Sequence, residues 1–172
     1  PHEKQCEGHC VLNRAGKPIR IGKLEQFIAD FDADMNLIRE KIPPKTRGNV
    51  AVIGSGPAGL TVAGDLAMMG FNVTVYEAED EPGGVLLYGI PEFRLPKEVV
   101  RRETKRISEL GVSFICNSIV GRDITIDQMF ESGFDAVFIG TGTAISKELN
   151  IPGKELTGVI QSHYFLRMVA LY

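Results

Sequence analysis

Short apolar runs alternate with amphipathic or charged segments over most of the chain. Four of these runs have the length of strands and are mainly apolar, which is typical of strands that are buried in a sheet. They lie at residues 50–53, 73–76, 112–115 and 136–139. Strands that alternate with helices imply right-handed crossovers and a mainly parallel sheet. The pattern therefore predicts an α/β fold.

Segments with helical character lie before, between and after these runs. Residues 24–39 carry apolar side chains at helical spacing, and the consecutive prolines Pro43 and Pro44 cannot continue that helix. Two crossover helices are predicted, a helix of small residues over 60–69 and a charged helix within 97–110. Gly70 and Gly111 are expected to end them. A last apolar helix is predicted from about Ser162, a residue type suited to an N-cap.

The change of pattern near residue 48 predicts two domains. Residues 1–47 should form a small helical region that ends in the proline-containing segment 41–48. Residues 48–172 should form the parallel-sheet domain.

Composition and charge narrow the classes of function. The 172 residues include 19 Lys and Arg against 22 Asp and Glu, and the formal net charge of −3 argues against a nucleic-acid partner. No apolar stretch approaches the roughly 20 residues that span a bilayer, so no membrane association is expected. Three cysteines cannot build a disulfide framework, and no signal segment opens the chain, which together indicate a cytoplasmic protein.

A glycine-rich turn between the first strand and its helix is the clearest candidate site. Gly54, Gly56 and Gly59 fit the spacing G-x-G-x-x-G, which permits a tight turn, close approach of a pyrophosphate, and close packing of helix on strand. Glu77 ends the second strand, where a carboxylate accepts hydrogen bonds from a ribose 2′-hydroxyl and repels a 2′-phosphate. We therefore expect a dinucleotide site that does not take NADP. A purely structural glycine turn is the alternative.

Residues around this turn favour FAD over NAD. Pro57 and Ala58 within the turn, and Gly83 and Gly84 after the second strand, are typical of flavoproteins with two dinucleotide folds. The segment 135–143 resembles the second FAD signature of those proteins, in which a buried strand delivers a glycine-rich turn beside the cofactor. The alternative for each piece alone is an ordinary turn after a strand.

Longer stretches extend the resemblance to nearly the whole chain. Residues 83–100, GGVLLYGIPEFRLPKEVV, resemble the small-subunit family of NADPH-dependent glutamate synthase, with its relatives among transhydrogenases and dihydropyrimidine dehydrogenases. Residues 1–10 and 19–30 are similar to the iron–sulfur domain of that family. The resemblance implies a Rossmann-like, FAD-binding parallel sheet preceded by a small α-helical segment of the iron–sulfur type.

Matching positions imply which residues contact FAD. They are Gly54, Ser55, Gly56, Pro57, Ala58, Gly59, Glu77, Ala78, Gly83, Gly84, Val85, Arg94, Val120, Gly142 and Thr143. An exposed loop cation is the alternative for Arg94. The basic residues within 97–106 are interpreted as a solvated helix face with i,i+4 ion pairs.

Cys6 and Cys10 match, by the same resemblance, two ligands of a [4Fe–4S] cluster. Such a cluster takes four thiolates, so clusters are expected in the full-length protein and none intact on this chain alone. Free thiols, or an incomplete zinc site with His9, are the alternatives for the pair. Cys116 ends an apolar strand and is interpreted as a core residue.

The implied function is electron transfer between NADPH, FAD and [4Fe–4S] clusters, and onward to a partner redox subunit. The second strand–turn–helix that binds NADPH in the family is not found, so we expect an N-terminal piece that is inactive alone and binds flavin weakly or not at all. No general acid or base is assigned, because the cofactor carries the chemistry. The alternatives are a stand-alone dinucleotide-binding module and a simple NAD-dependent dehydrogenase.

Overall fold

A computed structural model of the protein describes residues 4–35, 37, 41–143 and 147–171, and the chain divides into two compact units. The first unit is Pro1–Lys41 and the second is Ile42–Tyr172. The segment just before the predicted boundary at 47/48 falls in the second unit. There the ammonium group of Lys45 donates to the carbonyl of Ala67 at 2.6 Å, which ties this segment to the helix that it precedes.

The first unit is helical. It contains α1 (Gln5–Gly8), a 3-10 turn at Val11–Ala15, and α2 (Ile21–Met35). The last residues of the helix predicted over 24–39 lie outside the described part of the chain, apart from residue 37. No side chain of α2 is buried, and Phe27 and Phe31 stack one turn apart with their ring centroids 6.2 Å from each other.

The second unit is built on a four-stranded parallel sheet. Its strands are β1 (Asn49–Ile53), β2 (Asn72–Tyr76), β3 (Val112–Ile115) and β4 (Ala136–Ile139), in the spatial order β3-β2-β1-β4. Every neighbouring pair is parallel, so the predicted α/β fold class and all four predicted strands are confirmed. The chain runs from β1 outward to β3 and then returns to the other side of β1. This reversal creates a switch point between β1 and β4 at the carboxyl edge, the place where open α/β sheets bind ligands.

Helices connect the strands and follow the last one. The predicted crossover helices are α3 (Pro57–Met68) and α5 (Lys97–Glu109), and α7 (Ser162–Leu171) begins at the predicted serine. The apolar pattern does not predict two short helices, α4 (Val85–Tyr88) and α6 (Ile126–Glu131). Within the described residues, no helix has both the length and the apolarity that a membrane span requires.

A local sequence signal does exist for the start of α6. The hydroxyl of Thr125 accepts the amide of Gln128 at 3.2 Å, and the side-chain oxygen of Gln128 accepts the amide of Thr125 at 2.9 Å. This reciprocal pair is the capping box, whose spacing Thr-x-x-Gln is readable from the sequence. The short helix could therefore have been predicted from its cap rather than from its apolar side chains.

Apolar side chains cover both faces of the central strands β1 and β2. The outer strands β3 and β4 are only partly buried, with Ile115 42% and Ile139 61% exposed, because each has a neighbouring strand on one side only. The prediction of buried strands is therefore wrong for these two. One cluster contains Val52, Ala63, Ala67, Val73, Val75, Leu110 and Val112. A second cluster contains Ala51, Ile53, Tyr76 and Met129. Neighbouring residues of β1 belong to different clusters because successive side chains of a strand point to opposite faces. With both faces of β1 and β2 covered, a ligand can reach these two strands at their carboxyl ends.

Lys97, the first residue of α5, differs from the solvated charged face that the sequence indicates, whereas Arg101 is exposed as that interpretation expects. The ammonium group of Lys97 donates to the carbonyls of Leu86 and Ile90, and burial lowers its pKa. Arg101 forms two hydrogen bonds to the carboxylate of Glu81, at 2.8 and 3.2 Å. One i,i+4 ion pair of the predicted kind is present further along the helix. These two cations therefore tie α5 to the segment that contains α4.

Candidate functional site

The glycine turn that follows β1 lies at the switch point of the sheet. Gly54 has a φ of +93°, and its amide donates to the carbonyl of Tyr76 at 2.8 Å. A Cβ atom at this position would lie 2.6 Å from the carbonyl oxygen of Gly140, the residue that follows β4. The positive φ of Gly54 and the close approach of the Gly140 carbonyl, which follows β4, therefore both require glycine at this position.

The first turn of α3 packs directly against this strand end. A Cβ atom at Gly59 would lie only 1.9 Å from the carbonyl oxygen of Gly54, so the helix and the strand end meet backbone to backbone. Pro57 is the first residue of α3, where its fixed φ suits the helix and its missing N–H is not needed. The third glycine thus has the packing role that the motif predicts.

The N-terminus of α3 is open to a ligand. Gly56 occupies the N-cap position, and among the described residues no side chain caps this helix end. A Cβ atom at Gly56 would meet nothing within 4 Å, and both Pro57 and Ala58 are exposed. Because the first N–H groups of a helix carry partial positive charge, this backbone cradle favours a phosphate or diphosphate group.

Glu77, at the end of β2, is buried and bonded to the glycine turn. Its Oε2 atom accepts the amide of Ser55 at 2.9 Å and also accepts the hydroxyl of Ser55, while Oε1 accepts the amide of Glu79 at 3.0 Å. A carboxylate offers about four acceptor positions, so Oε1 retains one that a ribose hydroxyl could fill. The ribose contact stays a prediction, but the structure adds a second role, since this carboxylate also holds the turn.

A second glycine turn packs against the first. Gly83 and Gly84 have φ values of +148° and +51°, and the amide of Gly83 donates to the hydroxyl of Ser55 at 3.0 Å. A Cβ atom at Gly84 would lie 2.8 Å from the Cα atom of Gly56. Val85, the first residue of α4, is half exposed beside this turn. Two segments that the sequence predicts as cofactor contacts are therefore in backbone contact with each other.

Tyr88 of α4 fixes the segment between Glu77 and the second glycine turn. Its hydroxyl donates to Asp80 at 2.5 Å and accepts the amide of Glu81 at 3.1 Å. Burial raises the pKa of Tyr88, and the hydrogen bond from Tyr88 lowers the pKa of Asp80. Ala78, a predicted contact in this segment, is exposed. Sequence reasoning missed Tyr88 because a tyrosine in an apolar stretch carries no signal of its hydrogen-bond partners.

The turn after β4 forms the third part of the site. The amide of Gly140 donates to the carbonyl of Ile53 at 2.8 Å, and a Cβ atom at Gly140 would lie 3.5 Å from the amide nitrogen of Gly59. Gly142 has a φ of +68°, and both it and Thr143 are exposed. Gly140 is a close-packed position that was not among the predicted contacts. The available signal was its place directly after the apolar run 136–139, within the segment that resembles the second FAD signature.

Two further predicted contacts lie in separate segments. Val120 is half-buried, packs against the second core cluster, and forms an isolated parallel bridge with Ile124. Arg94 is exposed, and its amide donates to the carbonyl of Pro91 at 2.9 Å. Over the described part of the chain, no hydrogen bond or ion pair joins the Arg94 guanidinium to the glycine turns. Cofactor contacts of Arg94 and Val120 stay predictions.

Together, the three turns fit the diphosphate and ribose of a dinucleotide. They provide a helix N-terminus that no described side chain caps, a buried acid with one acceptor position that no described group fills, and glycines that admit close approach of the backbone. The fold and this site define a Rossmann-like dinucleotide-binding domain.

The first unit carries the two candidate cluster ligands. Cys6 is exposed on α1, and Cys10 is half-buried shortly after it. Backbone N–H groups, first that of Ile19 and then that of Leu12, lower the pKa of the Cys10 thiol. Among the described residues, no group of three or more His, Cys, Asp or Glu side chains could hold a metal ion. Two thiolates fall short of the four that a [4Fe–4S] cluster needs, so these residues alone do not hold one.

Comparison with known protein families agrees with both units. The family described as pyridine nucleotide-disulphide oxidoreductase matches residues 48–168, and dihydropyrimidine dehydrogenase domain II, 4Fe-4S cluster, matches residues 1–37. The chain therefore belongs to the pyridine nucleotide-disulphide oxidoreductase family. The two families imply FAD and a [4Fe–4S] cluster as cofactors, in agreement with the sequence.

Individual relatives support the same conclusion. Glutamate synthase [NADPH] small chain of Bacillus subtilis is 40% identical over 167 residues, which are 96% of this chain and 33% of the relative. The NAD-dependent dihydropyrimidine dehydrogenase subunit PreT homolog of Salmonella typhi is 40% identical over 87% of this chain and 36% of its own. Mycobacterium tuberculosis FprA in complex with NADPH shares the fold, with a TM-score of 0.60 and 24% identity over 72% of this chain and 28% of FprA.

These matches confirm the resemblance to the glutamate synthase small-subunit family and the oxidoreductase class. The chain spans about a third of the length of the curated relatives that it matches.

Proposed function

We propose that this chain binds the adenosine diphosphate half of FAD in an NADPH-dependent oxidoreductase. The whole protein would pass electrons between NADPH, FAD and [4Fe–4S] clusters and on to a partner redox subunit, as the resemblance to the glutamate synthase small-subunit family implies. One observation carries the proposal. Three glycine turns meet in backbone contact at the switch point of the sheet, and buried hydrogen bonds of Ser55 join two of them to Glu77.

Each part of the site has a binding task in this proposal. FAD, when bound, supplies the hydride and single-electron chemistry, and the chain binds and orients it. The N-terminus of α3 faces the diphosphate, and the bare Cα of Gly56 leaves room for its approach. The free acceptor position of Glu77 takes a ribose hydroxyl. Asp80, close behind Glu77 in sequence, adds negative charge that disfavours a 2′-phosphate, whereas the charge of Glu79 is paired with Arg167 at 2.6 Å; NADPH would therefore bind elsewhere in the protein.

Cys6 and Cys10 would contribute two ligands to a cluster in the whole protein, and the remaining ligands would come from other cysteines. The three cysteines are free among the described residues, which supports a reducing compartment, the cytoplasm.

The test is titration of the purified chain with FAD, ADP, NADH and NADPH by isothermal calorimetry. We expect saturable binding of FAD and ADP that is weaker than about 1 μM, and no comparable binding of NADPH. A chain that binds NADH but not FAD would favour the NAD-dependent dehydrogenase instead. Flavin bound to this chain should stay oxidised when NADPH is added, and rapid bleaching would contradict the placement of the hydride donor elsewhere.

A matched pair of glycine variants makes the test specific to the cradle. Gly56→Ala adds a methyl group where no heavy atom lies within 4 Å, so the fold should be unaffected while the diphosphate is obstructed. We expect the dissociation constant for FAD and ADP to rise at least tenfold. Gly64→Ala is the control, because its Cβ would make only an ordinary van der Waals contact, 3.9 Å from a side-chain carbon of Ile107, and lies further along α3 from the turn. Equal affinities for the two variants would count against the proposed site.

A further inference from the structure

Ser55 is the most buried polar residue of the site, and its hydroxyl is used twice. The residue has 0% exposure, and its hydroxyl donates to Glu77 and accepts the amide of Gly83 at 3.0 Å. A serine hydroxyl can donate one hydrogen bond, and here the buried carboxylate of Glu77 accepts it. The lone pairs are then free to accept the Gly83 amide. The side chain therefore acts within the protein interior rather than as a surface contact for a ligand.

This hydroxyl is a direct polar link between the first and the second glycine turns. The two turns otherwise meet through bare backbone, since a Cβ atom at Gly84 would lie 2.8 Å from the Cα and 3.1 Å from the amide nitrogen of Gly56. At such a contact there is no side chain whose shape could fix the spacing. The hydrogen bond from the Gly83 amide to Ser55 spans this contact, and the amide of Ser55 donates to Glu77 at 2.9 Å.

We infer that Ser55 is a positioning residue that sets the spacing of the two glycine turns, and so allows the site to hold a ligand that extends across both. This inference rests on the proposed function. In that proposal the diphosphate lies on the first turn. The inference adds that the ribityl chain, which is joined to the diphosphate, passes the second turn. ADP contacts only the first turn and Glu77, whereas FAD contacts both turns and so requires the correct distance between them. If the spacing of the two turns is already set in the free protein, binding of FAD loses less conformational entropy, whereas binding of ADP is unaffected.

The inference predicts a split between two ligands rather than a general loss of binding. Ser55→Ala removes the hydroxyl but keeps the Ser55 amide bond to Glu77, so the adenosine half of the site is retained. We expect the dissociation constant for FAD to rise about tenfold, as for the loss of a buried hydrogen bond, and that for ADP to change less than about twofold. Ser55→Cys, a weaker donor and acceptor of similar size, should lie between wild type and Ser55→Ala. Thr61→Ala, which removes an exposed hydroxyl from α3, is the control.

A second measurement tests the hydrogen bond between Gly83 and Ser55 without any ligand. In the free chain, hydrogen exchange of the Gly83 amide, followed by nuclear magnetic resonance, should accelerate in Ser55→Ala and remain unchanged in Thr61→Ala. Ser55→Cys provides the same reading if Ser55→Ala does not fold.

Each outcome decides between the two proposals. Selective loss of FAD affinity together with faster exchange at Gly83 supports the positioning role. Equal losses for FAD and ADP, or no loss with unchanged exchange, overturn that role and leave the proposed function standing. Failure of the wild-type chain to bind either ligand refutes the proposed function, and the positioning role is refuted with it.

Discussion

Replacement of Gly59 by alanine tests the contact between α3 and the first glycine turn. The new Cβ would lie 1.9 Å from the carbonyl oxygen of Gly54 and 3.0 Å from its carbonyl carbon, whereas Cβ atoms essentially never come within 3.0 Å of another heavy atom. Both contacting atoms belong to the backbone, so no side-chain rotation can relieve the overlap. The helix or the strand end would have to move by about 1 Å in a densely packed region.

The expected cost follows from two opposing effects. Overpacking that forces the backbone to shift costs about 1–3 kcal/mol and sometimes more, while glycine to alanine inside a helix otherwise gains up to about 1 kcal/mol. Because the overlap at Gly59 is with backbone, we expect the upper part of the first range and a net loss of about 2 kcal/mol in the free energy of unfolding. With an m-value of about 2 kcal/mol/M, the urea midpoint should fall by about 1 M, measured by far-ultraviolet circular dichroism.

Gly64→Ala on the same helix is the matched control. Its Cβ would meet only a side-chain carbon of Ile107, at 3.9 Å, so only the propensity gain applies and the midpoint should stay the same or rise. If Gly59→Ala and Gly64→Ala unfold at the same urea concentration, the close contact that the structure shows between helix and strand end is wrong.

Three further predictions concern caps, hydrogen bonds and thiols. Thr125→Ala should lower the free energy of unfolding by about 1 kcal/mol through loss of the capping box, and an unchanged thermal midpoint would contradict this. Tyr88→Phe should raise the pKa of Asp80 toward its ordinary value, seen in a carboxyl-carbon titration, because the hydroxyl that holds this pKa down is removed. In the wild-type protein, any stability that the lowered pKa of Asp80 contributes is present at neutral pH and is lost as the pH falls through that pKa; in the variant this contribution is smaller, so the free energy of unfolding should fall less over the same acidic range. At pH 7.5 iodoacetamide should modify Cys10 faster than Cys116, because backbone N–H groups lower the pKa of Cys10 while burial, with Glu77 next, raises that of Cys116; mass spectrometry of peptides would reveal a reversed order.

Local patterns in the sequence were sufficient for the main elements and for the motif. The central strands β1 and β2 are mainly apolar because both of their faces are covered. Three of the predicted helices have a local signal at their start, since α3 begins at Pro57, α5 follows Pro96 and α7 begins at Ser162. Gly54 and Gly59 were also predictable, because the motif spacing indicates which glycine permits the tight turn and which permits the helix to pack closely on the strand.

Short elements and charged side chains were harder to predict. α4 has four residues, too few for helical periodicity to show, and it is held by contacts from other segments. Lys97 carries the same local pattern as a solvated helix cation, yet its ammonium group binds carbonyl oxygens of the preceding segment. Which partner a long polar side chain reaches depends on where another part of the chain is placed.

The sequence by itself determined the parallel α/β class, the position of the glycine turn and the acid at residue 77. Only the tertiary structure decided the strand order β3-β2-β1-β4, which places Gly140 against Gly54, and the burial of Ser55 between Glu77 and Gly83. The physical reason is range. Backbone sterics and side-chain periodicity act over a few residues and are visible in the sequence, whereas a hydrogen bond between residues 55 and 83 exists only after the sheet has brought their two turns together.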